Sequence, residues 1–317
     1  MKQTLHQAGA CAAGLVFLLL FFSSSGCSLL SPGTMNLPAE KKEEILLTEV
    51  PFYKQDAYQC GPAALAMVLT WTGLGVSPDD LTAAVYTPTL QGSLQPSLIS
   101  AARQYGRVAY PIQGALELFT EINAGHPVII LQNLGLSWYP KYHYAVVIGY
   151  ENGGRTIILH SGKNPAERIS GKVFQNTWAR ADYWGLLVLP TNELPAMAIE
   201  EKYLNAVAGL ERARQFEAAI SAYKTALTRW PESLSAWMGL GNSFYAQGEL
   251  SSAAGAYNQA MQLHPANGMP LNNLAQVLWE QGKKEEALQK IRHAIELDGP
   301  YKSVFEKTLH DFEQSEK

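Results

Sequence analysis

Pro231 and Pro265 stand 34 residues apart, and Gly299-Pro300 follows at the same interval within one residue. A fixed period of this length means that one supersecondary unit recurs and that each copy buries its apolar face only against its neighbours. The middle unit carries Trp237, Leu240, Gly241, Phe244, Ala253, Tyr257, Ala260 and Pro265. Its neighbours keep Ala219, Tyr223 and Ala226 on one side and Ala287, Ile291 and Ala294 on the other. Small Ala and Gly let two antiparallel helices approach closely, aromatics fill between them, and Pro ends the second helix. Residues 200–301 therefore read as three stacked helix pairs, about the minimum that buries a continuous core. Residues 302–317 read as a capping helix. Any chemistry lies upstream, before the breaker Pro190-Thr191-Asn192-Glu193-Leu194-Pro195 and the linker 191–199.

That set of repeat positions resembles the tetratricopeptide repeat. The resemblance implies a concave surface for a protein partner, with a rigidifying appendage as the alternative.

The N-terminus reads as an address. Lys2 precedes an apolar run, Ala12 to Phe22, of eleven residues. A bilayer core needs about 20 apolar residues, whereas a signal-peptide h-region needs no more than this run supplies. Ser24-Ser25-Gly26-Cys27 then resembles the bacterial lipoprotein box, although Ser24 stands where an aliphatic residue is usual. The resemblance implies that residues 1–27 are a signal peptide and that Cys27 is lipidated. A plain secretory signal is the alternative. Ser28 rather than Asp follows the cysteine, so the expected location is the outer membrane, facing the periplasm. Residues 28–48 form a polar tether. Of the three cysteines, Cys11 leaves with the signal and Cys27 takes the lipid, which makes Cys60 the free thiol in an oxidising compartment. The net charge of -4 excludes a strongly basic nucleic-acid binder. With no second run of 18 apolar residues and no phosphate-binding Gly-x-x-x-x-Gly-Lys-Ser/Thr, neither transport nor ATP is expected.

Chemistry is concentrated in residues 49–190. A β-like entry, Val50, Phe52 and Tyr53, passes through a polar turn to Cys60-Gly61-Pro62 and then to the helix formers Ala63 to Leu69. Cys60 thus opens a helix whose dipole and free amides favour an anion. The expectation is a thiol lowered from about 8.5 towards 3.5–7.5. Gln55 has an amide to place beside it, and an amide next to a helix-terminal N–H makes an oxyanion hole. His143 opens a strand-like run through Tyr150. A second run, Thr156 to His160, follows the Asn152-Gly153-Gly154 turn, predicting a hairpin. A lone cysteine on an apolar helix is otherwise a small buried hydrophobe.

Together, Gln55, Cys60-Gly61-Pro62-Ala63 and the His143-Tyr-Ala-Val-Val-Ile-Gly-Tyr strand resemble the papain-like fold. More closely, they resemble the bacteriocin-processing peptidases that cut after double-glycine leaders. The resemblance implies an α+β cysteine-peptidase domain acting on a peptide amide. In it Cys60 is the nucleophile, His143 the general base and acid, and Gln55 the oxyanion donor. Two positions depart from the family. Its Gln usually lies one residue earlier, where Lys54 stands. Its imidazole-orienting Asp is replaced by His160-Ser161-Gly162, which makes His160 the expected third member, with Asn164 or Asp182 able to substitute from nearby loops. A catalytically impaired pseudo-peptidase, acting as a peptide-binding or repeat-based assembly lipoprotein, is the competing reading. No cofactor is expected. A zinc site from Cys60, His143 and His160 lacks metal-type spacing. His126 reads as structural. Trp138, Tyr139, Tyr142 and Tyr144 read as packing, or as the lining of a substrate cleft.

Overall fold

The structure is a computed structural model that describes residues 43–55 and 59–315. The signal segment with Cys27, and most of the tether, lie outside the described residues.

A short strand β1 (Ile45–Leu46) precedes the loop that carries Gln55, and helix α1 (Cys60–Trp71) follows. α1 is buried continuously from Gly61 to Leu69, so its Ala, Leu and Met residues build an internal helix rather than a one-sided surface one. Helix α2 (Pro78–Val85) starts at a capping box, in which the Ser77 side chain and Asp80 satisfy each other's backbone amides. Strands β2 (Tyr86–Thr87) and β3 (Gly92–Ser93) form a small hairpin, and α3 (Gln95–Gln104) closes this layer.

The rest of the domain runs β4 (Val108–Gln113), α4 (Ala115–Asn123), β5 (Val128–Asn133), β6 (Tyr142–Glu151), β7 (Thr156–Ser161), β8 (Asn164–Ser170), α5 (Gly171–Ala179) and β9 (Trp184–Leu189). The strands form one antiparallel sheet in the order β4-β9-β5-β6-β7-β8, with β1 also paired to β6. Residues alternate between the two faces, as the period of two requires. Ala109, Ile129, Leu131, Tyr144, Val146, Ile158, Leu186 and Val188 share a core with α1, α2 and α3. Val108, Ile130, Ala145, Val147, Leu159, Leu187 and Leu189 point to the other core. The predicted β6–β7 hairpin is present, and a register shift between Val147 and Gly149 bends β6.

The repeat region comprises α6 (Glu200–Arg212), α7 (Phe216–Arg229), α8 (Leu234–Ala246), α9 (Leu250–Leu263), α10 (Gly268–Glu280) and α11 (Lys284–Glu296), closed by α12 (Lys302–Gln314). Trp279 stacks on Phe312 of α12 at 4.3 Å between ring centroids. The first helix pair does more than start a stack. Tyr203, Val207 and Leu210 of α6, with Ala219 and Tyr223 of α7, belong to the same core as the second face of the sheet. Gly209 of α6 lets the guanidinium of Arg103 on α3 lie directly against the helix, where a Cβ would push it aside. Residues 191–199, expected as a linker, are bonded along their length. The buried Glu121 carboxylate accepts from the Ala196 and Met197 amides at 3.1 Å each, Tyr110 Oη accepts from Ile199 N at 3.3 Å, and Thr225 Oγ1 donates to the Thr191 carbonyl at 2.8 Å. His126 is structural, its Nδ1 lying 2.7 Å from Glu121 Oε2.

Candidate active site

Strand β7 pairs with β6 only from Val146 onward. The same edge of β6 at Tyr144 is open, and two groups fill it. Gln55, buried at 5% exposure, donates from Nε2 to the Tyr144 carbonyl at 3.3 Å. Its Oε1 accepts from Gly162 N at 2.9 Å, and its own amide donates to the Gly162 carbonyl at 2.9 Å. Gln55 therefore ties the start of β6 to the β7–β8 turn and is held in one orientation, with one Nε2 hydrogen unspoken for.

Cys60 is the first residue of α1 and is half-buried. The backbone amides of Tyr144, Gly61 and Cys60 itself hydrogen-bond its sulfur and pull its pKa down, but burial outweighs them and pushes the thiol above its ordinary value. The expected lowering by the helix terminus is outweighed by the desolvation that comes with packing the start of α1 into the fold. Gly61 is there because the β2–β3 hairpin crosses the helix start, where a Cβ would collide with the Ser93 side chain. Tyr144 is buried, its hydroxyl donating to the Ser93 carbonyl at 3.3 Å. Its own pKa is driven upward, first by burial and then by the neighbouring Cys60 charge.

His143 lies at the second position of β6, in register with Gln132 of β5. Burial alone lowers its pKa, so desolvation disfavours an imidazolium at His143 as it disfavours a thiolate at Cys60. Its Nε2 is 3.1 Å from Ser161 Oγ. His160 does not take the third-member place. Its Nδ1 accepts from Ala166 N at 3.0 Å, which sets the tautomer, and its Nε2 then donates to the Val50 carbonyl at 3.1 Å. His160 is a buried strut, packed at 5.3 Å on Phe52. Neither of the two loop residues replaces it: Asn164 is exposed at the start of β8, and Asp182 is exposed in the turn before β9. The residue that sequence reasoning missed is Ser161. Alternation along β7 was the available signal, since a strand's last two residues point to opposite faces.

Cys60, His143, Gln55, Tyr144 and Gly162 line one open cleft of about 1120 Å³. Its walls are the β2–β3 hairpin with Leu94, and the segment Tyr139 to Tyr142. Tyr139 and Tyr142, expected as packing or lining, are exposed on this wall. Trp138 is exposed outside the lining, its ring 6.1 Å from that of Tyr139, and Tyr144 alone of the four is core.

Residues 47–184 match the Peptidase_C39 like family. They form a C39-like peptidase-family domain. Residues 209–270 and 253–301 match the Tetratricopeptide repeat. The chain is thus a C39-like domain continued by tetratricopeptide repeats. Among solved structures, a putative C39-like peptidase from Bacillus anthracis is 18% identical, over 47% of this chain and 98% of its own, at a TM-score of 0.41. The translocator chaperone SycD of Yersinia enterocolitica is 17% identical over 37% of this chain and 94% of its own, at 0.35. The Sgt2 repeat domain of Aspergillus fumigatus is 16% identical over 37% of this chain and 78% of its own, at 0.35. No curated protein matches the sequence.

Proposed function

We propose that the C39-like domain is a cysteine peptidase that hydrolyses a peptide amide through a Cys60 thioester. The convergence of Cys60, His143 and the clamped Gln55 on one cleft carries this reading. With Nε2 of His143 engaged by Ser161, Nδ1 is the nitrogen left for the thiol. As Sγ attacks the carbonyl carbon, its proton passes to His143, and the oxyanion that forms takes the free Gln55 Nε2 hydrogen and the amide at the start of α1. The imidazolium then protonates the leaving amine. Water attacks the thioester with His143 again as base and frees the acid and the thiol.

The test is turnover of a fluorogenic peptide library by wild type, Cys60→Ala and His143→Ala, with folding followed by circular dichroism. Both variants fold and lose turnover on this reading; equal turnover in Cys60→Ala ends it. The second reading, an impaired pseudo-peptidase that holds a peptide, is favoured by the hydroxyl that replaces a carboxylate at His143. Labelling of Cys60 by an electrophilic peptide probe separates the two, since a reactive nucleophile is labelled and a pure binding cleft is not.

Around this domain, the repeats recruit a protein partner and Cys27 carries a lipid that anchors the protein to the outer membrane, facing the periplasm. Palmitate incorporation that is lost in Cys27→Ser checks the anchor.

A further inference from the structure

The loop between β5 and β6, residues 134–141, is built to keep its shape. Asn133 is buried, its Oδ1 accepting from the Gly135 and Lys141 amides at 2.9 Å each and its Nδ2 donating to the Leu136 carbonyl at 3.4 Å. Arg180 donates to the Asn133 carbonyl from Nε at 3.1 Å and from Nη2 at 2.8 Å. Leu136 and Tyr139 exchange backbone hydrogen bonds in both directions. Gly135 is required, because a Cβ would run into the Tyr139 carbonyl oxygen.

Yet this braced loop shows apolar groups to solvent. Leu134, Leu136 and Tyr139 are exposed, Trp138 is 81% exposed, and Tyr142 at the start of β6 is 60% exposed. Across the cleft, Leu90 and Leu94 are exposed as well. Scattered surface apolar residues are ordinary, but Tyr139 and Tyr142 on one side of the cleft and Leu90 and Leu94 on the other, with Leu134, Leu136 and Trp138 on the adjoining loop, mark an interaction site. Among the described residues, Lys141 and Lys163 are the charged side chains that line the cleft and no carboxylate does.

We propose that this loop and the leucines facing it bind the substrate chain on either side of the reacting bond, selecting a peptide segment that combines bulky apolar side chains with carboxylates. The proposal rests on the peptidase reading and names its substrate class. Rigid aromatic anchors bind with little ordering cost, because the loop is already in its bound shape. The two lysines then discriminate by sign, favouring an acidic chain and repelling a basic one. A bilayer or a second copy of the chain needs only the apolar patch. The continuity of that patch with the Cys60 cleft, and the lysines inside it, favour a peptide.

The test uses four fluorescein-labelled twelve-residue peptides, crossing apolar with polar and acidic with basic composition, and anisotropy on full-length Cys60→Ala protein. The apolar acidic peptide binds at least tenfold more tightly than the other three. Trp138→Ser with Tyr142→Ser removes at least tenfold of that affinity, and Lys141→Glu with Lys163→Glu moves the preference to the apolar basic peptide. All four side chains are exposed, so the variants keep the fold. Equal binding of the four peptides, or variants without effect, overturns the proposal. So does a blue shift of tryptophan emission with anionic vesicles in place of peptide binding, or dimerisation that is lost in Trp138→Ser. Selective binding without cleavage by wild type supports this surface and sinks the peptidase reading; cleavage without selectivity does the reverse.

Discussion

At the scale of residues, the site pairs a thiol that burial pushes up with an imidazole that burial pushes down. A raised thiol keeps its proton through neutral pH, and a lowered imidazole stays neutral below its ordinary value of about 6.5. On the proposed peptidase reading, the proton then moves during attack rather than before it. Two consequences are measurable. Iodoacetamide alkylation of Cys60 rises only in the alkaline range, and the acid limb of kcat/KM falls below pH 6.5; a thiol inflection well under pH 8 would contradict the neutral pair. Ser161 supplies a dipole where a carboxylate would steady the imidazolium. Ser161→Asp is expected to raise turnover by roughly tenfold, the effect of about 1.4 kcal/mol on the barrier. It should also bring a thiol inflection below pH 8, while Ser161→Ala lowers turnover. Unchanged rates and an unchanged pH profile in both variants would remove Ser161 from the machinery. Cys60, His143 and Gln55 were legible as residues because helix-start chemistry and strand patterning are local. Ser161 and the upward shift of the thiol were not, since both depend on which strand ends where and how much water remains.

At the scale of elements, the buried Glu121 on α4 is the joint between the sheet and the repeat helices. Its oxygens hold His126 and the Ala196 and Met197 amides, and Lys202 of α6 pairs with Glu117 one turn earlier at 2.8 Å. Glu121→Ala leaves two amides without their acceptor, at an expected cost of about 3 kcal/mol in a denaturant titration. Glu121→Gln keeps one acceptor oxygen and should cost less; equal stability of both variants with wild type would deny the joint its role. The elements themselves were readable. α1 followed from its helix formers, the β6–β7 hairpin from two apolar runs around Asn-Gly-Gly, and the repeat helices from their period. The breaker at 190–195 was readable as a break in regular structure, but not as a segment bonded along its length.

At the scale of the whole molecule, the repeats are not a separable module. α6 and α7 close the second face of the sheet with Tyr203, Val207, Leu210 and Tyr223, so the C39-like domain borrows its core from the array. Truncation after residue 232, which keeps this pair, is expected to yield soluble protein. Truncation after residue 195 bares Val108, Tyr110, Leu187 and Leu189 and should aggregate or unfold at a much lower Tm. Equal solubility and Tm for the two truncations would show an independent domain. The sequence by itself determined the repeat period, the helix that begins at Cys60, the strand of His143 and the two-part organisation, because each is a pattern among residues close along the chain. The tertiary structure decided that Ser161 rather than His160 meets the imidazole, that burial pushes the thiol up, that a braced aromatic loop walls the cleft, and that both parts share a core. Those outcomes turn on desolvation and on contacts between residues distant along the chain, which no local pattern encodes.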